Sequence, residues 1–204
     1  MSNDIKENFF DRSKVFYPYI MQYIFTYHGV IEIFSRGMVK ELKKAEQRCG
    51  KDKVTEAFSI GNINIDAKRF IEKEQGLTPL LGELSLYSNF MGSNINMNIE
   101  EFADEALSNY DYLLEHIMKA AGILIIMGFE NTKHLDDKNS EIWNFFYHCR
   151  NAAAHGGKFN ITKPRFPAKW GNLEITPLMN GAKLFNTSSN DGLLAPGDPI
   201  RLLW

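Results

Sequence analysis

Three residues suited to phosphodiester chemistry lie in one short run, Arg150-Asn151-Ala-Ala-Ala-His155. A guanidinium stays charged and grips phosphate oxygens through paired N–H donors. An imidazole titrates near neutrality, so it serves as base or acid. Cleavage of RNA by its own 2′-hydroxyl needs those functions: a base for the hydroxyl proton, a cation for the phosphate and an acid for the leaving oxygen. On a helix Asn151 and His155 are i, i+4 neighbours, which places the amide to orient the ring. Arg150 stands about 140° around the helix from His155. One chain therefore offers a splayed half-site that a second copy would complete. The scheme calls for no metal ion and no other cofactor. A structural role is the alternative: two cations at a helix C-terminus complement its dipole.

Further candidates flank the run. Tyr147 and His148 lie within one turn of Asn151, where they could line the same cleft, although a lone helical histidine also suits a structural role. His148 and His155 are roughly 10 Å apart along a helix axis, too far to share one metal ion. From residue 158 to 170 the chain carries Lys158, Lys163, Arg165 and Lys169, no acids, and Phe159, Phe166 and Trp170 among them. Cations interleaved with aromatics can track a single strand and stack its bases. The same segment also reads as a loop whose aromatics pack on the rest of the protein. Cys149 adjoins His148, but helical neighbours diverge by about 100°, so the two are not a catalytic pair.

Helices must position these groups. From Pro18 apolar residues recur at three- and four-residue steps, predicting a helix to about Gln47 with Cys49-Gly50 as its stop. Residues 51 to 90 are expected to hold shorter helical pieces. Asn98 with Glu101 has capping-box form and predicts a second long helix to about Met127. A third is predicted from Asn139-Ser140 to Gly156-Gly157, with Ile142, Phe145, Phe146, Cys149, Ala152 and Ala153 as its buried stripe. Asn144, His148, Asn151 and His155 form a polar stripe, and the three alanines would let another backbone come close. Beyond Gly157 five of the chain's seven prolines appear. There Asn180-Gly181, flanked by Asn172 to Thr176 and Ala182 to Phe185, predicts a hairpin, and Ile200 to Trp204 a further strand.

The Arg-Asn-x3-His run, late in a helical region, resembles the R-x4-H signature of the HEPN superfamily. That resemblance implies a mainly α fold: a HEPN-like antiparallel helical bundle over residues 1–157. Residues 158–204 are expected to be a small C-terminal antiparallel β-meander packed on it, outside the resemblance. It further implies a metal-independent endoribonuclease acting as a homodimer, with Arg150, Asn151 and His155 catalytic and RNA as substrate. A role as toxin or phage-defence effector, held in check by an antitoxin or other regulatory protein, also follows from resemblance. One HEPN subgroup carries a tyrosine two residues after the motif histidine. Gly157 stands there in this chain. The alternative is a non-catalytic module of the same fold that binds RNA or protein.

Composition bounds these readings. The chain has 204 residues, 44% of them hydrophobic and 24% charged, as expected of a globular protein rather than a disordered one. A net charge of −2 excludes a general polycation. The two cysteines, Cys49 and Cys149, form no zinc or disulfide pattern, and the N-terminus is polar. A cytoplasmic protein without a membrane span is expected.

Overall fold

The structure is a computed structural model that describes residues 11–49, 58–60, 63–65, 83–98, 110–135, 137–163, 165–186 and 191–203. The chain divides into two compact units, one of residues 1–28 with 115–204 and one of residues 29–114. The architecture is mixed and helix-leaning, with about 51% of the described residues helical.

The first unit holds the candidate site. Helix α1 (Tyr17–Cys49) begins within a residue of Pro18 and ends where the glycine stop predicts. Ile20 and Tyr23 are buried within this unit, and the Tyr23 hydroxyl donates to the Pro196 carbonyl at 2.9 Å. Helix α2 (Tyr110–Thr132) continues into a short 3-10 turn (Lys133–Leu135). Helix α3 (Glu141–Ala154) starts where Ser140 caps it, its side chain accepting from the Trp143 N–H. Gly122 faces Ala153, while Phe129 stacks on Trp143 and meets Phe146 edge-on, so α2 and α3 run antiparallel. A Cβ on Gly122 would stand 3.4 Å from that of Ala153, so small residues set this helix spacing. Apolar side chains of both helices form the core: Ile117, Ala121, Leu124, Ile125, Phe145, Phe146, Cys149 and Ala152. Ile142 departs from its expected place and is 50% exposed. It lies in the first turn, before α3 comes under cover.

The described residues of 158–203 pack on α3, but not as a meander. Strands β5 (Lys169–Trp170) and β6 (Leu173–Glu174) form an antiparallel hairpin about Gly171 and Asn172, with Gly171 at φ 59°. Pro177 then opens a 3-10 turn (Pro177–Met179), which Asn180 and Gly181 close. The predicted hairpin at Asn180-Gly181 is therefore not formed. Proline fixes φ and removes a donor, so a tight turn follows β6 in place of a ladder. Strand β7 (Lys183–Phe185) instead bridges Lys158 in antiparallel fashion and pairs in parallel with β8 (Gly192–Leu194). The expected final strand is helix α4 (Asp198–Leu203). Pro199 sits in its first turn, where its fixed φ suits a helix, and Asp198 accepts from the Ala195 N–H at 2.7 Å. Phe159, Ala168, Ile175, Leu184, Phe185 and Leu194 are buried.

In the second unit the described residues 58–60, 63–65 and 83–88 are strands where short helical pieces are expected, and the rest of residues 51–82 lies outside the described residues. Strands β1 (Phe58–Ile60) and β2 (Ile63–Ile65) pair antiparallel, as do β3 (Glu83–Ser88) and β4 (Ser93–Asn98). Apolar and polar residues alternate in β4 and through the middle of β3, the period of a strand. Asn98 ends β4 opposite Glu83. Its predicted capping partner Glu101 lies outside the described residues. No helix among the described residues is long and apolar enough to cross a membrane.

Candidate active site

Arg150 emerges from the last turns of α3 beside Glu130 of α2. Its Nε donates to Glu130 Oε1 at 3.1 Å, Nη2 donates to the same oxygen, and Nη1 donates to Asn151 Oδ1 at 3.3 Å. The Phe129 ring lies 5.9 Å from the guanidinium carbon. Glu130 Oε2 accepts from Lys133 at 3.0 Å, so both carboxylate oxygens are engaged. The hydrogen bonds from Arg150, then that from Lys133, hold the Glu130 carboxyl below its ordinary pKa. The arginine side chain is 30% exposed, neither sealed in the core nor free in solvent.

His155 ends α3 as its C-cap, its backbone N–H directed to the Asn151 and Ala152 carbonyls. Gly156 and Gly157 follow, both at φ 76°, a left-handed conformation that stops the helix. The His155 ring is exposed and makes no hydrogen bond among the described residues. The structure therefore joins Arg150 to Asn151 and does not join Asn151 to His155. The i, i+4 spacing predicts that the amide orients the imidazole, but it contacts the guanidinium instead. Glu130 is not apparent as a partner in the sequence because it lies twenty residues from Arg150. The available signal is its place near the end of a helix connected to α3 by a short turn.

The flanking candidates separate into three groups. His148 is 2% exposed, with Nε2 at 3.1 Å from the Arg165 carbonyl and 3.3 Å from the Arg165 N–H. Either neutral tautomer finds a partner there, and the shorter distance fits the one that donates to the carbonyl. Phe166 stacks on the ring at 5.2 Å, and burial holds its pKa below the ordinary value. His148 thus anchors the loop around Arg165 and cannot line an open cleft. The Arg165 guanidinium lies 3.9 Å over the Tyr147 ring, and Lys169 pairs across β5 and β6 with Glu174 at 3.5 Å. Tyr147, Arg165 and Lys169 therefore have partners within the chain. Lys158 and Lys163 are exposed and have no ion pair among the described residues.

The aromatics of this segment take the packed reading. Phe159 is 2% exposed, Phe166 covers His148, and Trp170 lies 5.8 Å from Phe145. Asn144 binds the same loop from inside, donating to the Pro167 carbonyl at 3.0 Å, and also donates to the Lys138 carbonyl ahead of α3 at 3.0 Å. Cys149 is buried and its thiol pKa is pushed up by desolvation, so it is no nucleophile. Among the described residues no group of three or more His, Cys, Asp or Glu side chains is placed to hold a metal ion. Comparison with protein-family models, with curated proteins and with solved structures finds no match to this chain.

Proposed function

We propose that this chain is a HEPN-like, metal-independent endoribonuclease that acts as a homodimer, with Arg150 and His155 as its working groups. The observation that carries this reading is the state of Arg150. It is held by Glu130 and Asn151 near a helix end, partly exposed, five residues before an exposed imidazole that makes no hydrogen bond among the described residues. A held, partly exposed cation and an exposed imidazole on one helix are the groups that phosphate capture and proton transfer need, and a second copy would bring one of each to the same phosphate. Arg150 would bind the scissile phosphate, and His155 would take the 2′-hydroxyl proton. The 2′-oxygen would then bond to phosphorus while the bond to the 5′-oxygen breaks. The departing oxygen takes a proton from an acid, and His155 of the second copy would supply it. The products are a 2′,3′-cyclic phosphate and a 5′-hydroxyl end.

Incubating the pure protein with total cellular RNA in EDTA and sequencing the ends tests this. New cyclic-phosphate ends that vanish with His155→Ala support it, and uncut RNA overturns it. A role as toxin or defence effector in the cytoplasm, answering to an antitoxin, belongs to the same proposal. A non-catalytic RNA- or protein-binding dimer is the second reading. The ion pair to Glu130 favours it, because that pair already gives Arg150 a structural purpose.

A further inference from the structure

We propose that Glu130 is the positioning residue of the Arg150 site, holding the guanidinium by its side edge so that its end takes one phosphate group. The proposal rests on the nucleic-acid reading given above. A guanidinium has five N–H donors. Nε and Nη2 of Arg150 each direct one to Glu130 Oε1, and Nη1 directs one to Asn151 Oδ1. One donor therefore remains on each terminal nitrogen, the number that a two-oxygen phosphate contact uses. A carboxylate that merely occupied the anion site would take that terminal pair. Glu130 uses one oxygen on the adjoining edge, that of Nε and Nη2, and Lys133 holds its other oxygen at 3.0 Å. With two cations against one carboxylate the cluster stays net positive, so it attracts an anion even with Glu130 in place.

The test is a mutant cycle of wild type, Glu130→Gln, Arg150→Ala and the double variant. The probe is a short fluorescein-labelled single-stranded RNA in EDTA, read for binding and for single-turnover cleavage. Glutamine keeps the size and removes the charge. Glu130→Gln should slow cleavage about tenfold and weaken binding about threefold, the scale of one charge-assisted hydrogen bond. Neither loss should appear when Arg150 is already alanine, since residues acting as a unit are non-additive. Equal losses in both backgrounds would mark Glu130 as a structural residue and overturn the proposal. Tighter binding in Glu130→Gln would mark it as an occupant of the site and would overturn the proposal too. If wild type binds the probe without cutting it, the endoribonuclease reading fails while the binding cycle still decides on Glu130. If Arg150→Ala leaves binding unchanged, both fail.

Discussion

Arg150 reaches twenty residues back along the chain and donates through two nitrogens to one carboxylate oxygen of Glu130. Pairs of this kind contribute little when fully exposed and more when partly covered. Here the side chains are 30% and 34% exposed, and Phe129 flanks the guanidinium. The pair ties the last turns of α2 to α3 five residues before His155. The guanidinium is thereby fixed against α2 by helix packing rather than by a loop.

That fixation predicts different signatures for the three motif residues. His155→Ala should lose about 10²–10⁴-fold in cleavage rate while RNA affinity changes little, as expected for a proton-transfer group. Arg150→Ala should lose rate and affinity together. Asn151→Ala should follow Arg150→Ala in milder form, because its carbonyl oxygen accepts from the guanidinium. Single-turnover rates beside equilibrium binding check this. An Asn151→Ala profile that matches His155→Ala would restore the amide to the imidazole.

The basic segment divides in the same way. Lys169 shares its charge with Glu174 and Arg165 lies over Tyr147, whereas Lys158 and Lys163 have no ion pair among the described residues. Lys163→Gln should reduce the slope of log affinity against log salt by about 1, the effect of losing one phosphate contact. Lys169→Gln should change it less. Fluorescence titrations at several salt concentrations measure both slopes, and identical slopes would remove this segment from RNA capture.

The limits of α1 and α3 are legible in the sequence because their stops are local: Gly50 for one, Ser140 and the glycine pair for the other. The polar stripe of α3 is legible as a pattern but not as a purpose. Spacing places Asn144 and His148 on one face, yet it cannot show that the Arg165–Pro167 backbone covers that face. The same holds for Glu130, whose partner is set by packing between helices. Residues 83–88 form a strand where a short helical piece is expected, since scattered apolar residues suit either element and their alternation is brief. Past Gly157, Pro177 and Pro199 decide between hairpin, turn and helix.

His148 predicts a pH dependence of stability. Burial disfavours its charged form and holds the ring below its ordinary value of 6.5. Below that pH the unfolded chain takes up a proton that the native ring refuses, so stability rises with pH across this window. The contribution is complete above about pH 6.5 and is lost as the pH falls toward the native value. His148→Gln keeps a donor for the Arg165 carbonyl and does not titrate. Urea midpoints of wild type should drop more between neutral and mildly acidic pH than those of His148→Gln. Equal drops would assign the acid sensitivity elsewhere.

Two glycines predict a contrast in packing. A Cβ on Gly192 would overlap the Phe185 carbonyl in the parallel β7 and β8 pair, where only backbone could move. A Cβ on Gly128 would meet the Leu203 methyl groups, which can rotate aside. Gly192→Ala should therefore destabilise more than Gly128→Ala, by about 1–3 kcal/mol or more for the former. Thermal melts compare the two. A Gly192→Ala protein as stable as wild type would contradict the close approach of these strands.

The alanine triplet bears on the dimer. Ala152 is fully buried and Ala153 faces Gly122 within the same chain, so two of the three serve internal packing. Ala154 is exposed beside His155, which leaves it to test association. If two copies complete one site at this helix end, Ala154→Arg should separate them by bulk and charge without disturbing the core. Light scattering should then report half the wild-type mass, and cleavage should fall together with it. Mixing His155→Ala with Arg150→Ala should bring no recovery, since the mixed pair carries a single His155 and the cleavage uses one as base and one as acid. Wild type that is monomeric at working concentration and still cuts RNA would sink the two-copy arrangement, leaving Arg150 and His155 to act within one chain.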